Sequence, residues 1–148
     1  MTAHSIHETV IVVDGSNAAA GGGCRAPSLA RMVAVRAAAL AKWPLAKVVV
    51  VVDANLRHAL TATEGKELAS LCRDGDVISV PSCTLGKGDG VILAIAATHG
   101  AMIVSNDEFR EFIHDHPFIT DDARVFGIVC VDGFEPLLVQ RKLNRRDA

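Results

Sequence analysis

The sequence predicts an α/β fold: a single three-layer α/β/α domain with a mostly parallel central sheet. Three observations carry that expectation. Short runs rich in Val and Ile alternate with segments of helical period along the chain, the pattern that right-handed crossovers build into a doubly wound sheet. Half of the residues are hydrophobic and only 4% aromatic, with Val and Ala prominent, which suits buried parallel strands under closely packed helices. Carboxylates also stand where such strands should end, at Asp14 and Asp107, with Asp89 in the loop that opens a buried helix and Asp53 a fourth candidate, on the side where open α/β sheets bind their ligands.

Residues 9–14 form a β-branched run, and Gly15-Ser16-Asn17-Ala18 with the triplet Gly21-Gly22-Gly23 marks a loop after it. Ser28, suited to N-capping, opens a helix over 28–42 whose apolar positions Leu29, Met32, Val33, Ala37 and Leu40 keep a helical period until Pro44 blocks continuation. Five consecutive valines within 47–53 predict a fully buried strand. Thr61 and Glu64 have capping-box spacing at the start of a helix over 61–73, with Leu68, Leu71 and Cys72 on its inner face. A short strand follows over 76–81. Residues 88–99 are apolar almost all round and stop at Gly100, so a buried helix is expected there. A strand over 101–105, a short polar helix over 107–114 and a strand over 124–131 complete the alternation. Asp132-Gly133 predicts a tight turn into Phe134-Glu135, a hairpin-like end to the sheet.

The 148 residues suffice for one core. The folded unit is expected over 9–137, after an extension of residues 1–8 and before a basic, solvated tail of residues 138–148. A formal charge of −2 excludes a surface that attracts polyanions everywhere, so nucleic-acid affinity has to come from local cations around an acidic centre. The four cysteines show no C-x-x-C pair and no zinc-site spacing with the histidines, which predicts free thiols. No run approaches the roughly 18 apolar residues of a membrane span, and the first residues lack the pattern of a secretory signal. A soluble, cytoplasmic protein with no membrane partner is expected.

In Asp14-Gly15-Ser16-Asn17 the glycine lets the backbone turn away while the carboxylate stays at the crevice, and Asn17 is placed to orient substrate or water. Asp89 sits between Gly88 and Gly90 at a helix start, where the dipole favours a carboxylate, and the neighbouring Lys87 suits a phosphate. In Ser105-Asn106-Asp107-Glu108-Phe109-Arg110-Glu111, a helix beginning at 107 puts Asp107 and Glu111 on one face, where two like charges repel unless a cation lies between them. Hard divalent cations are held by such carboxylates together with substrate phosphates. The chain therefore points to metal-assisted phosphodiester hydrolysis. Competing motifs fail: there is no P-loop, no dinucleotide fingerprint and no G-x-S-x-G elbow.

The combination of Val13-Asp14-Gly15-Ser16-Asn17, Cys24-Arg25, Lys87-Gly88-Asp89 and Val104-Ser105-Asn106-Asp107 with Phe109-Arg110 resembles the NYN/PIN-like ribonuclease domain of the Regnase family, the CCCH zinc-finger-associated endoribonucleases. The ending Val131-Asp132-Gly133-Phe134-Glu135-Pro136 is similar too, so the likeness covers about residues 9–137. It implies a PIN-like sheet, Mg²⁺ or Mn²⁺ as cofactor, and internal cleavage of single-stranded or loop RNA. By motif, Asp14, Asp89 and Asp107 become metal-binding acids, with Asn17 beside them and Arg25 on the substrate side. Glu111 joins them as a catalytic acid, and Arg25, Lys87 and Arg110 hold the RNA backbone, with Arg57 as a fourth cation. Two positions depart from the family pattern: Gly88-Asp89 replaces a pair of adjacent acids, and Glu111 replaces an Asp one turn after the Ser-Asn-Asp. With no CCCH finger pattern in the chain, RNA selection is expected from this domain, a homo-oligomer or a protein partner. Two other readings share the fold: a catalytically weak RNA-binding or assembly module, and the nuclease toxin of a toxin–antitoxin pair.

Overall fold

The computed structural model describes residues 8–23, 25–84 and 87–141. Cys24, residues 1–7 of the expected extension and residues 142–148 of the expected tail lie outside the described residues. Strands β1 (Val10–Asp14), β2 (Lys47–Asp53), β3 (Val77–Val80), β4 (Met102–Val104), β5 (Val125–Val129) and β6 (Leu137–Gln140) form one sheet in the order β3-β2-β1-β4-β5-β6. Every neighbouring pair is parallel except β5 and β6. The chain winds outward from β1 to β2 and β3 on one side and from β4 to β5 on the other. The order thus reverses between β1 and β4, and at such a switch point a crevice opens beyond the carboxyl ends of the strands.

The helices are α1 (Gly15–Ala19), α2 (Leu29–Lys42), α3 (Leu56–Ala59), α4 (Ala62–Arg73) and α5 (Lys87–His99). Alternate strand residues go to opposite layers. Ile11, Val13, Val50 and Val52 pack with Met32, Val35 and Ala39 of α2 and Leu68 of α4, whereas Val12 and Val51 pack with Ile92, Leu93 and Ala96 of α5, Phe109 and Ile119. Two covered faces explain the unbroken valine run of β2. The capping box of α4 is present, and Glu64 reaches further: its Oε2 accepts from the backbone N–H of Leu29 (2.8 Å). One carboxylate thereby serves the amino ends of α2 and α4 and ties the two helices together.

The structure corrects several local expectations. Residues 15–19, read as loop, form α1, and Asp14 caps it by accepting from the Asn17 N–H (3.2 Å). The polar helix expected over 107–114 is an irregular turn followed by a 3₁₀ turn at Arg110–Phe112. Phe109 takes a left-handed backbone (φ 50°) that turns its ring into the core, and a helix cannot start through that residue. Nor is α5 buried all round: Ile92, Leu93 and Ala96 meet the sheet, while Ala94 and Ala97 face solvent. Their small side chains expose little apolar area, so the composition misrepresents the burial. The closing hairpin has a loop of residues 130–136 in place of a two-residue turn, and β6 occupies residues expected to begin the tail. Among the described residues no helix is long and apolar enough to cross a membrane, and Cys72, Cys83 and Cys130 are free thiols.

Candidate metal centre

Asp14 ends β1 with only 6% of its surface exposed. Its placement depends on Gly15, where a Cβ would lie 2.6 Å from Val52 Cγ1 and 2.7 Å from Val50 Cγ1. Without that side chain, α1 starts directly behind Asp14 and lies against β2. Across the switch point, fully buried Ser105 follows β4. Its hydroxyl donates to Asp14 Oδ2 (2.8 Å) and accepts from the Asp107 N–H (3.0 Å). Ser105 therefore links the acid of β1 to the acid that follows β4. Asp107 in turn accepts from the Phe109 N–H through Oδ1 (2.9 Å), an Asx turn that fixes its side chain.

Asp89 arrives from a third element, the first turn of α5. Asp53, at the end of β2, accepts from the Gly88 N–H (2.7 Å) and fastens that helix end to the sheet. A Cβ on Gly88 would come within 2.8 Å of Asp53 Oδ1, so glycine is what permits this approach. Asp53, read from sequence as one more strand-end acid, thus borders the cluster as the anchor of α5.

Carboxylate oxygens of Asp14, Asp89 and Asp107 lie within 4.8 Å of one another. Opposed ligands of an octahedral Mg²⁺ sit about 4.2 Å apart, a separation inside that limit. Burial pushes the Asp14 carboxyl up to about 6, against the lowering effect of the hydrogen bonds from Ser105 and Asn17. Asp89 rises to about 7 through burial, reinforced by Asp14, Asp107, Asp53 and Glu111. Charge repulsion among desolvated acids is relieved by protons or by a cation. The donor set suits a hard cation, because all three groups are carboxylates and each Asp14 oxygen accepts one hydrogen bond, which leaves lone-pair capacity. Asp89, Asp107 and Glu111 share the wall of a pocket of about 410 Å³. Asp107 and Glu111 share that wall, but not the face of one helix as expected, since no helix starts at 107.

The other residues named from sequence are dispersed. Asn17 accepts from the Asn106 N–H through Oδ1 (3.0 Å), clasping α1 to the loop after β4. Arg25 pairs with Asp132 (2.5 Å) on a rim made by the start of α2 and the loop of residues 130–136. Arg110 lines the pocket and pairs with Glu108. Lys87 is exposed at the start of α5, and Arg57 is exposed on α3, outside the lining of the acidic pocket. Sequence reasoning assigned no role to Ser105, Asn106 or Arg141. The Asn106 side chain accepts from the Ile128 N–H (2.7 Å) and donates to the Ile128 carbonyl (2.9 Å), continuing the β4–β5 pairing where the strand has ended. A polar Ser-Asn pair directly after an apolar strand was the available signal.

A doubly wound sheet with three carboxylates converging at its switch point defines a PIN-like domain of the nuclease type. Residues 7–127 match the model of the Zc3h12a-like Ribonuclease NYN domain, and the chain belongs to that family. A comparison with curated proteins finds no match. Among solved structures, the chain is similar to nuclear proteinaceous RNase P 2 (PRORP2) from A. thaliana, with 18% identity, a TM-score of 0.69, and coverage of 89% of this chain and 29% of that one. A second Arabidopsis thaliana structure, nuclear protein-only RNase P 2 (PRORP2), gives 17% identity and a TM-score of 0.70, covering 93% of this chain and 31% of that one. At such identity the likeness establishes the fold. The chain spans less than a third of the length of either structure.

Proposed function

We propose that this ribonuclease domain is a metal-dependent endonuclease that hydrolyses phosphodiester bonds of single-stranded or loop RNA, with Asp14, Asp89 and Asp107 holding Mg²⁺ or Mn²⁺. The observation that carries the reading is the convergence of three carboxylates, from β1, α5 and the loop after β4, in a chain of a ribonuclease family. Nothing but a cation satisfies such a cluster while all its members are charged.

A divalent cation held by Asp14, Asp89 and Asp107 would supply positive charge to the scissile phosphate and would make an attacking water more acidic. The protein's part is placement. Ser105 bridges the Asp14 carboxylate and the Asp107 N–H, and Asp53 holds the end of α5 that carries Asp89. Glu111, on the pocket wall, is placed to take the proton of the attacking water. Arg110, which lines the pocket, and Lys87, exposed at the start of α5, are the cations proposed to hold phosphates, with Arg25 and Arg57 as further RNA contacts. Phosphate contacts carry little sequence information, so selection is expected from unpaired RNA shape and from partners.

The test is cleavage of an end-labelled structured RNA by purified protein with Mn²⁺, with Mg²⁺ and with EDTA. Internal cuts that need the metal are expected. Binding of the RNA without cutting under any metal would move the reading to a binding or assembly module.

A further inference from the structure

Arg141 belongs by sequence to the expected tail, yet in the structure it directly follows β6 and its backbone continues the pairing with β5. Its backbone N–H donates to the Val125 carbonyl (3.2 Å), so the β5–β6 register sets where its side chain begins. The stem then crosses β5 at Gly127, where a Cβ would lie 3.2 Å from Arg141 Cγ and 3.4 Å from Cδ. Glycine inside a strand weakens it and marks a close approach of other groups; here those are Asn106 Oδ1, 2.9 Å from that Cβ position, and the arginine stem. On the far side of β5 the guanidinium Nη1 donates to the carbonyls of Ser105 (3.1 Å) and Asp107 (2.5 Å). Burial works against its charge, and Glu108 and Asp107 favour it.

These two carbonyls bracket the segment that carries Asp107. Asp107 lies outside any regular element, and on its amide side the segment is held by the Ser105 hydroxyl. Its carbonyl side is held by Arg141. A short irregular segment that carries a catalytic group has to be fixed by its neighbours, because it has no ladder of its own.

We propose that Arg141 is a positioning residue for the acidic centre: by bridging the Ser105 and Asp107 carbonyls across Gly127, it holds Asp107 in the conformation that joins it to Asp14 and Asp89. The effect on catalysis rests on the reading of those acids as metal-holding; the effect on the loop does not. Arg141→Met keeps the stem over Gly127 and removes the donors. In that variant, turnover is expected to fall about 10- to 100-fold and Mn²⁺ affinity, measured by calorimetry without RNA, by at least about tenfold, while KM for RNA stays within about twofold. Arg141→Ala leaves room for added guanidinium, which should restore part of its turnover and none of that of Asp107→Asn. Hydrogen exchange at the Asp107 and Phe109 amides should quicken in Arg141→Met, with the melting profile otherwise retained, whether or not the wild-type protein cuts RNA. Unchanged exchange at those amides overturns the proposal. So does a raised KM at unchanged turnover, which would make Arg141 a phosphate contact. A wild-type protein that neither binds Mn²⁺ nor cuts RNA would instead remove the metal reading and leave the exchange result to decide the loop.

Discussion

Asp14 uses each of its oxygens once within the protein, accepting from the Asn17 N–H and from the Ser105 hydroxyl. An asparagine at this position retains one acceptor and the shape of the side chain, and loses the negative charge. Asp14→Asn and Asp107→Asn should therefore lower turnover by at least about two orders of magnitude. For Asp14→Asn the melting temperature in EDTA at pH 8 should not fall, because a buried neutral amide costs less than a buried carboxylate. A wild-type cleavage rate in either variant would remove these acids from the metal site. Glu111→Gln should lose less, since Glu111 lies on the pocket wall and outside the cluster of three. At this scale much was legible: a carboxylate closing an apolar run is visible in a string of letters. The partners of that carboxylate were not, because Ser105 meets Asp14 across 91 residues of chain.

At the scale of elements, the amino end of α5 is fastened to the sheet by the Gly88 N–H, which donates to the Asp53 carboxylate. Replacing Asp53 by Ala should release that end and move Asp89, with a loss of turnover of about 10- to 100-fold. The core residues Ile92, Leu93 and Ala96 should stay packed. Comparing cleavage rates and near-ultraviolet circular dichroism of the variant with wild type checks both parts, and full activity would mean that Asp89 holds its place without the anchor. Strands and the long helices were legible because their periods are local. The turn at 107–112 was not, since its course follows from the burial of Phe109 against residues of another layer. Periodicity cannot register a contact of that kind.

For the whole molecule, the acidic centre links stability to pH. Asp14 and Asp89 keep protons in the folded protein up to about 6 and about 7, above the 3.8 of an ordinary aspartate. Between those limits the folded state binds more protons than the unfolded chain, so this contribution is full below about pH 4 and is lost as the pH rises through about 7. A cation that binds the ionised cluster opposes the loss. In EDTA the melting temperature should be lower at pH 8 than at pH 5.5, and Mn²⁺ should raise it far more at pH 8. Equal Mn²⁺ shifts at the two pH values would exclude the cluster as the binding site.

The sequence by itself determined the layered α/β class, the order of its long elements, and the strand-end position of Asp14 and Asp53, because burial of alternating segments is written in local hydrophobic period. Only the tertiary structure decided that β1 and β4 are neighbours, that Asp89 meets Asp14 and Asp107 there, and that an arginine directly after β6 reaches across Gly127 to the loop of Asp107. The physical reason is that strand order and side-chain convergence are set by packing between residues far apart in the chain, where no local preference acts.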